Sequence, residues 1–231
     1  MNSLENRVVF EDNHLLIFNK LPGEIVQGDK TGDIPLVDTL KGYLKTKYNK
    51  PGNVFLGLTH RLDRPTSGLV IFAKTSKALS RVNDQLKNRE VKKTYWAVTE
   101  KALPTPLGKL VDYQKKNNQQ NKSYAFPNAV KDAKKAILNF QLLGNSDRYY
   151  LYEIDLETGR HHQIRVQLSA RGASIKGDVK YGAKRPNKDG SIHLHARSLK
   201  FIHPVKKEPI SITATPPNDA VWNHFTNLFS S

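Results

Sequence analysis

The 231-residue chain contains no cysteine, which removes disulfides, zinc–thiolate sites, iron–sulfur clusters and thiol nucleophiles together. No apolar run is longer than about five residues, as in "LVIFA", against the roughly 18 to 20 that a membrane span needs. The start, "MNSLENRVVFEDN", has no positive charge followed by a continuous apolar core, so no secretory signal is read. A cytoplasmic protein without membrane attachment is the expectation. There is no fixed-period repeat of the kind that marks solenoids and propellers. Neither a heptad nor an obvious apolar surface helix is present, which makes a monomer the default.

Acidic residues are also few: 21 Asp and Glu stand against 37 Lys and Arg, a net charge of +16 and a pI near 9.9. Such an excess attracts polyanions, of which a polynucleotide is the usual one. The remaining composition, 38% hydrophobic and 25% charged, is that of a soluble globular protein. A chain of this length can bury roughly 70% or more of its unfolded surface in one continuous domain.

Two nucleotide motifs fail. "GNVFLGLT" has the glycine spacing of a phosphate-binding loop from Gly52 to Gly57, but Leu58 stands where the lysine must be. No G-x-G-x-x-G follows a strand, which argues against a dinucleotide cofactor. His161, His162, His193, His195 and His203 could supply metal ligands, and His193 and His195 would point the same way on a strand. They lack the acidic partner spacing of metal motifs, so hydrogen-bonded structural histidines are expected, with no metal.

The pattern predicts strands at "RVVFED" and "HLLIFNK" and a turn at Pro22-Gly23. A helix follows over "PLVDTLKGYLKTKY", with Leu36, Leu40, Leu44 and Tyr48 on one face and Pro35 in its first turn. The next helix, "SKALSRVNDQLKNRE", takes Thr75 or Ser76 as N-cap and buries Ala78, Leu79, Val82 and Leu86. In the strand "VKKTYWAVTE", Tyr95 and Trp96 face opposite ways, so both cannot be core in a one-sided sheet. The span 113–135 holds six lysines and one aspartate and reads as a long loop or loose hairpin that could close over a polyanion. Strands at "AILNFQLL" and "RYYLYEIDLE" precede a short helix ending at Gly172. "IHLHARSLKFIH" and "ISITATPP" are strand-like, and a last helix, "DAVWNHFTNLF", carries a core stripe of Val221, Trp222, Phe225, Leu228 and Phe229.

One constellation points to chemistry. "GLTHRLDRPTSGLVIFAKT", residues 57–75, sets Asp63 between Arg61 and Arg64 ahead of an apolar strand. Within it, "HRLDRPTSGL" resembles the catalytic motif of the RluA family of RNA pseudouridine synthases. "VVFEDNHLLIFNKLPGE" is similar to that family's N-terminal segment and "KKTYWAV" to its tyrosine motif. "LETGRHHQIRVQLSARGASIKGDVKYG" is similar to its third motif and "HLHARSLKFIHP" to its closing strand region.

The resemblance implies an α+β pseudouridine synthase fold, with a mixed, largely antiparallel central sheet flanked by helices. It implies an isomerase that detaches uracil from ribose, turns the base and rejoins it through carbon. Asp63 matches the essential aspartate, Tyr95 the tyrosine that stacks on the base, and Arg165 the basic partner of the aspartate. Arg61 matches the arginine that fills the space of the flipped nucleotide, leaving Arg64 without a role. The partner implied is RNA, ribosomal or transfer. Many members carry an S4 RNA-binding domain, whereas this chain begins at the catalytic part. Residues 1–231 are therefore read as a single catalytic domain without a separate RNA-binding domain, and Lys115, Lys116 and Lys122 as RNA contacts. His161 stands where Thr is common in the family.

The chemistry agrees with the residues. The isomerisation changes connectivity but not oxidation state or composition, so it calls for no cofactor. An ionised carboxylate can attack, or take a proton from, sugar or base, and a guanidinium beside it favours the ionised form. The reacting atoms lie within a stack, so the base must be extruded, and stacking plus a wedge offsets that cost. A catalytically silent basic RNA-binding protein is the alternative, and it has no use for a carboxylate facing phosphate. A metal-dependent nuclease lacks its acidic cluster.

Overall fold

The structure, a computed structural model, describes residues 4–29 and 31–229. Eleven strands are described: β1 (Val8–Glu11), β2 (Leu15–Lys20), β3 (Gly57–Leu58), β4 (Ser67–Ala73), β5 (Lys92–Thr99), β6 (Leu107–Asn117), β7 (Lys122–Phe126), β8 (Lys134–Asn145), β9 (Tyr150–Leu156), β10 (Leu194–Ile202) and β11 (Pro209–Thr213). The helices are α1 (Leu36–Lys47), α2 (Ser76–Lys87), α3 (Gln163–Ala170) and α4 (Ala220–Asn227). This is the expected α+β architecture of largely antiparallel strands with helices. The chain divides into two compact units, Met1–Lys92 with Arg197–Thr215, and Lys93–Ala196 with Pro216–Ser231.

In the first unit β2 pairs antiparallel with β1 and with β4, in a register that sets Ile17 against Ile71. Leu15, Ile17, Leu69, Ile71 and Ala73 form one core with Ala78 and Val82 of α2 and Leu199 and Phe201 of β10. The residues of opposite parity, Leu16, Phe18, Val70 and Phe72, are fully buried as well. Both faces of this pair are covered, which is why "LLIF" and "LVIFA" read as unbroken apolar runs rather than alternating ones. Helix α2 begins where Thr75 Oγ1 accepts from the Ala78 N–H at 3.2 Å, satisfying one of the amides that a helix start leaves open. Helix α1 buries Leu36, Leu40 and Leu44 at a spacing of four, and Pro35 occupies its N-cap, one position ahead of the expected first turn.

In the second unit β7, β6, β8, β9 and β5 lie side by side in that order, each pair antiparallel. The lysine-rich span expected as a long loop or loose hairpin is a paired hairpin: Tyr113 to Asn117 face Phe126 to Lys122, and the other edge of β6 is zipped to β8. Trp96, Val98, Leu151, Trp222 and Phe225 form a core. Asp219 caps α4 by accepting from the amides of Val221 at 2.8 Å and Trp222 at 2.9 Å.

One expectation holds and one needs adjustment. Tyr95 and Trp96 point to opposite sides of β5 yet both are buried, so this strand too is covered on both faces. The stripe of the last helix is core only in its first half: Trp222 and Phe225 are buried, but Leu228 and Phe229 are 49% and 48% exposed, past the helix end at Asn227.

Candidate active site

Asp63 lies in the loop between β3 and β4, and this loop is tied down from several directions within its own unit. Thr59 Oγ1 donates to the Ile71 carbonyl at 2.8 Å, and the Ile71 N–H donates to His60 Nε2 at 3.2 Å. Together they clamp "GLTH" onto β4. Gly57 lets β3 lie close to α2, where a Cβ would come within 2.7 Å of Leu79 Cδ2. The Thr66 N–H donates to the Asp63 carbonyl at 3.0 Å and closes the turn.

Beneath the loop sits Lys20, a fully buried lysine. Its Nζ donates to the carbonyls of Leu21 at 2.8 Å, Arg64 at 3.1 Å and Thr66 at 2.6 Å, so one ammonium anchors the residues on either side of Pro65. Burial is the largest influence on this group and lowers its pKa to about 7, while the carboxylates of Glu24 and Asp63 pull it back up.

The two neighbouring arginines part company. Arg64 turns to the 29–33 segment, with Nη2 donating to Thr31 Oγ1 at 2.8 Å and to Asp33 Oδ2, and lying 3.9 Å from Asp29 Oδ2. Arg61 is exposed and makes no ion pair among the described residues.

Tyr95 and Arg165 belong to the second unit. Tyr95 lies on β5 opposite Ile154 and is buried. Arg165, on α3, is buried and gripped by Asp178 at two points, Nε to Oδ2 at 2.7 Å and Nη2 to Oδ1 at 2.8 Å. The fork geometry fixes the plane of the guanidinium, which also lies 5.0 Å from the centre of the Tyr181 ring.

Tyr181 continues the network. Its hydroxyl accepts from the Ser123 N–H at 2.8 Å and lies 2.8 Å from His162 Nδ1. Burial is the largest influence on the His162 imidazole, and together with Arg165 it pushes the pKa down to about 2. His162 adopts φ 56°, the left-handed conformation, immediately before α3. His161 stacks on it with ring centroids 3.7 Å apart, and its Nδ1 is 2.9 Å from Ser123 Oγ. Gln163 fastens the preceding loop: Oε1 accepts from Thr158 Oγ1 at 2.8 Å and the Arg160 N–H at 2.9 Å, and Nε2 donates to the Ile137 carbonyl at 3.0 Å.

The other histidines make structural contacts as well. His193 and His195 flank the Trp222 ring, at 5.2 and 6.1 Å between centroids, so they do share a side. His193 Nε2 lies 3.3 Å from Asp219 Oδ1, and His203 Nε2 lies 2.9 Å from Asp12 Oδ2.

Of the expected RNA contacts, Lys115 is exposed and 3.4 Å from Asp132, Lys116 is exposed, and Lys122 lies over Tyr124 and Tyr181 at 5.7 and 5.3 Å. Sequence reasoning missed Lys20, Asp178 and Tyr181. The signal for the last two was their place in "GDVKYG", the end of the third motif; nothing in the sequence distinguished Lys20 from surface lysines.

Comparison with known proteins agrees with the motifs. The family described as RNA pseudouridylate synthase matches residues 14–170. An uncharacterized RNA pseudouridine synthase of Bacillus subtilis, YhcT, is 32% identical over 92% of this chain and 69% of its own length. The ribosomal large subunit pseudouridine synthase C of Buchnera aphidicola subsp. Baizongia pistaciae is 34% identical over 94% of this chain and 68% of its own. Among solved structures, human RNA pseudouridylate synthase domain containing 4 shares the fold with a TM-score of 0.79, at 24% identity over 97% of this chain and 94% of that one.

Proposed function

Because the chain belongs to the RluA family of RNA pseudouridylate synthases, isomerases that act on RNA, we propose that it converts uridine to pseudouridine in ribosomal RNA with Asp63 as the catalytic carboxylate. The choice of ribosomal over transfer RNA follows relatives named as ribosomal large subunit pseudouridine synthases C and D. The observation that carries the assignment of Asp63 is its loop: clamped to β4 by Thr59 and His60 and anchored from below by Lys20, it holds a carboxylate in place at little further entropic cost.

The reaction breaks the bond from ribose C1′ to a ring nitrogen and makes one from C1′ to a ring carbon, with the displaced proton moving from carbon to nitrogen. Asp63 serves as the anion that attacks or takes a proton. Tyr95 stacks on the base, Arg165 keeps the carboxylate ionised, and Arg61 occupies the space of the extruded nucleotide. Arg61, which is exposed and carries no ion pair among the described residues, suits that task better than Arg64, whose guanidinium is taken by Asp33 and Thr31. Lys115, Lys116 and Lys122 serve as phosphate contacts that position RNA without reading its sequence. The reading takes the two units as one catalytic domain that works as a monomer in the cytoplasm, a setting that suits a cysteine-free chain.

The test is to incubate the purified protein with unmodified ribosomal RNA and transfer RNA and to map pseudouridine at nucleotide resolution. New pseudouridine at defined ribosomal positions is expected. Product in transfer RNA alone would overturn the choice of substrate, and RNA that is bound but unchanged would make this a silent RNA-binding protein.

A further inference from the structure

The "KK" of β6 runs along β7 just past Gln114, which pairs with Lys134 of the "KK" that opens β8, and the turn before α3 lies beside them. Between them is an open cleft of about 390 Å³ lined by Gln114, Lys115, Lys116, Ser123, Asp132, Lys134, Gly159, Arg160 and His161. Four cations thus face a single carboxylate, and the partners of the four decide what the cleft can do. Lys115 is occupied by Asp132 and by the Lys131 carbonyl at 3.3 Å. Arg160 spends only Nε, on the Lys135 carbonyl at 3.0 Å, leaving both terminal nitrogens without partners among the described residues. The ammonium groups of Lys116 and Lys134 are exposed and make no ion pair among the described residues.

The floor, by contrast, is tied to the turn before α3. Gln114 Nε2 and Ser123 Oγ both donate to the His161 carbonyl, the latter at 2.9 Å, while Ser123 Oγ also meets the His161 ring. Unpaired cations above a hydrogen-bonded floor form a preorganised anion site, and a fork with two open nitrogens beside two ammonium groups matches the oxygens of a phosphodiester.

We propose that this cleft is an RNA phosphodiester site, in which Lys116, Lys134 and Arg160 hold the backbone of a nucleotide outside the target uridine. The inference rests on the reading that this protein acts on RNA, and it adds Lys134 and Arg160 to the contacts together with a place where they converge. Its role is to anchor the flanking strand, so that the energy of phosphate binding is available to offset base extrusion.

The test compares two double variants for binding to a fluorescent, uridine-rich single-stranded RNA across a salt series. Lys116→Gln with Lys134→Gln removes two exposed charges from the cleft; Lys45→Gln with Lys77→Gln removes two exposed charges from the first unit as a control. Loss of two phosphate contacts lowers the slope of log affinity against log salt by about 1.4 and weakens binding roughly tenfold at moderate salt. The cleft pair should show this and the control pair should not. Equal effects from the two pairs, or an unchanged slope for the cleft pair, would overturn the site. Binding is read without turnover, so a wild-type protein that makes no pseudouridine but shows the cleft-specific slope would refute the enzymatic reading and leave this inference standing.

Discussion

Replacing Lys20 by Met tests how the loop of Asp63 is held. Methionine nearly matches the length of the lysine but donates nothing, so the carbonyls of Leu21 and Thr66 lose the Lys20 donor, while that of Arg64 keeps the Gly23 N–H at 2.8 Å. Each orphaned buried acceptor costs about 1–3 kcal/mol, partly offset because a charge no longer has to be buried. The pH dependence separates these two effects. Folded Lys20 has a pKa of about 7, whereas an unfolded lysine holds its proton to about 10.4. Between those values the unfolded chain binds more protons, so stability from this group rises with pH, by at most about 1.4 kcal/mol per unit. It is fully present above the unfolded pKa and is lost as pH falls through the folded one. The methionine variant has no such term, while every other titrating group is shared. Urea denaturation of both proteins should therefore show the wild-type advantage growing by about 1 kcal/mol per unit between roughly pH 7.5 and 9.5. Parallel stability curves, or an advantage that shrinks over this range, would refute the reasoning.

Removing Asp178 strips the buried Arg165 of a two-point hold, so Asp178→Ala should cost about 3–5 kcal/mol in chemical denaturation; a loss below about 1 kcal/mol would show that other groups suffice for the guanidinium. Gly57→Ala places a methyl 2.7 Å from Leu79 Cδ2 and should cost about 1–3 kcal/mol. Adding Leu79→Ala should remove most of the penalty of the Gly57 change measured in that background, and independence of the two changes would mean that the close approach is not the reason for glycine.

How far these features could be read from sequence depends on what each residue type does in the fold. Helix α2 was legible to within one residue at its start because Thr75 and Ser76 are both caps by chemistry and Ala78 and Val82 repeat at helical spacing. The end of α3 was legible because Gly172, at φ 74°, takes a conformation that favours glycine. Its interior was not: Gln163, Arg165 and Gln167 are polar yet buried, and they donate to partners as distant in sequence as Ile137, Asp178 and Asp112. Hydropathy cannot register such residues, and only the resemblance of the motif drew attention to them. The hairpin of β6 and β7 was legible only as a long loop or loose hairpin for the same reason, since its inward positions include Asp112, Gln114 and Ser123. At the site, the sequence left Arg64 without a role, because its partners come from the 29–33 segment, about thirty residues earlier. Lys20 was illegible because nothing in the sequence marks a lysine that ends beneath a loop and bonds three carbonyls.

The central claim is that the carboxylate of Asp63 performs the isomerisation. The most direct measurement is single-turnover formation of pseudouridine by the Asp63→Asn protein, with RNA affinity determined on the same preparation. The side chain keeps its size and loses its charge, so product should fall below detection while RNA binding stays within about threefold of wild type, well under 1 kcal/mol. Turnover at the wild-type rate by a protein lacking that carboxylate would contradict the assignment.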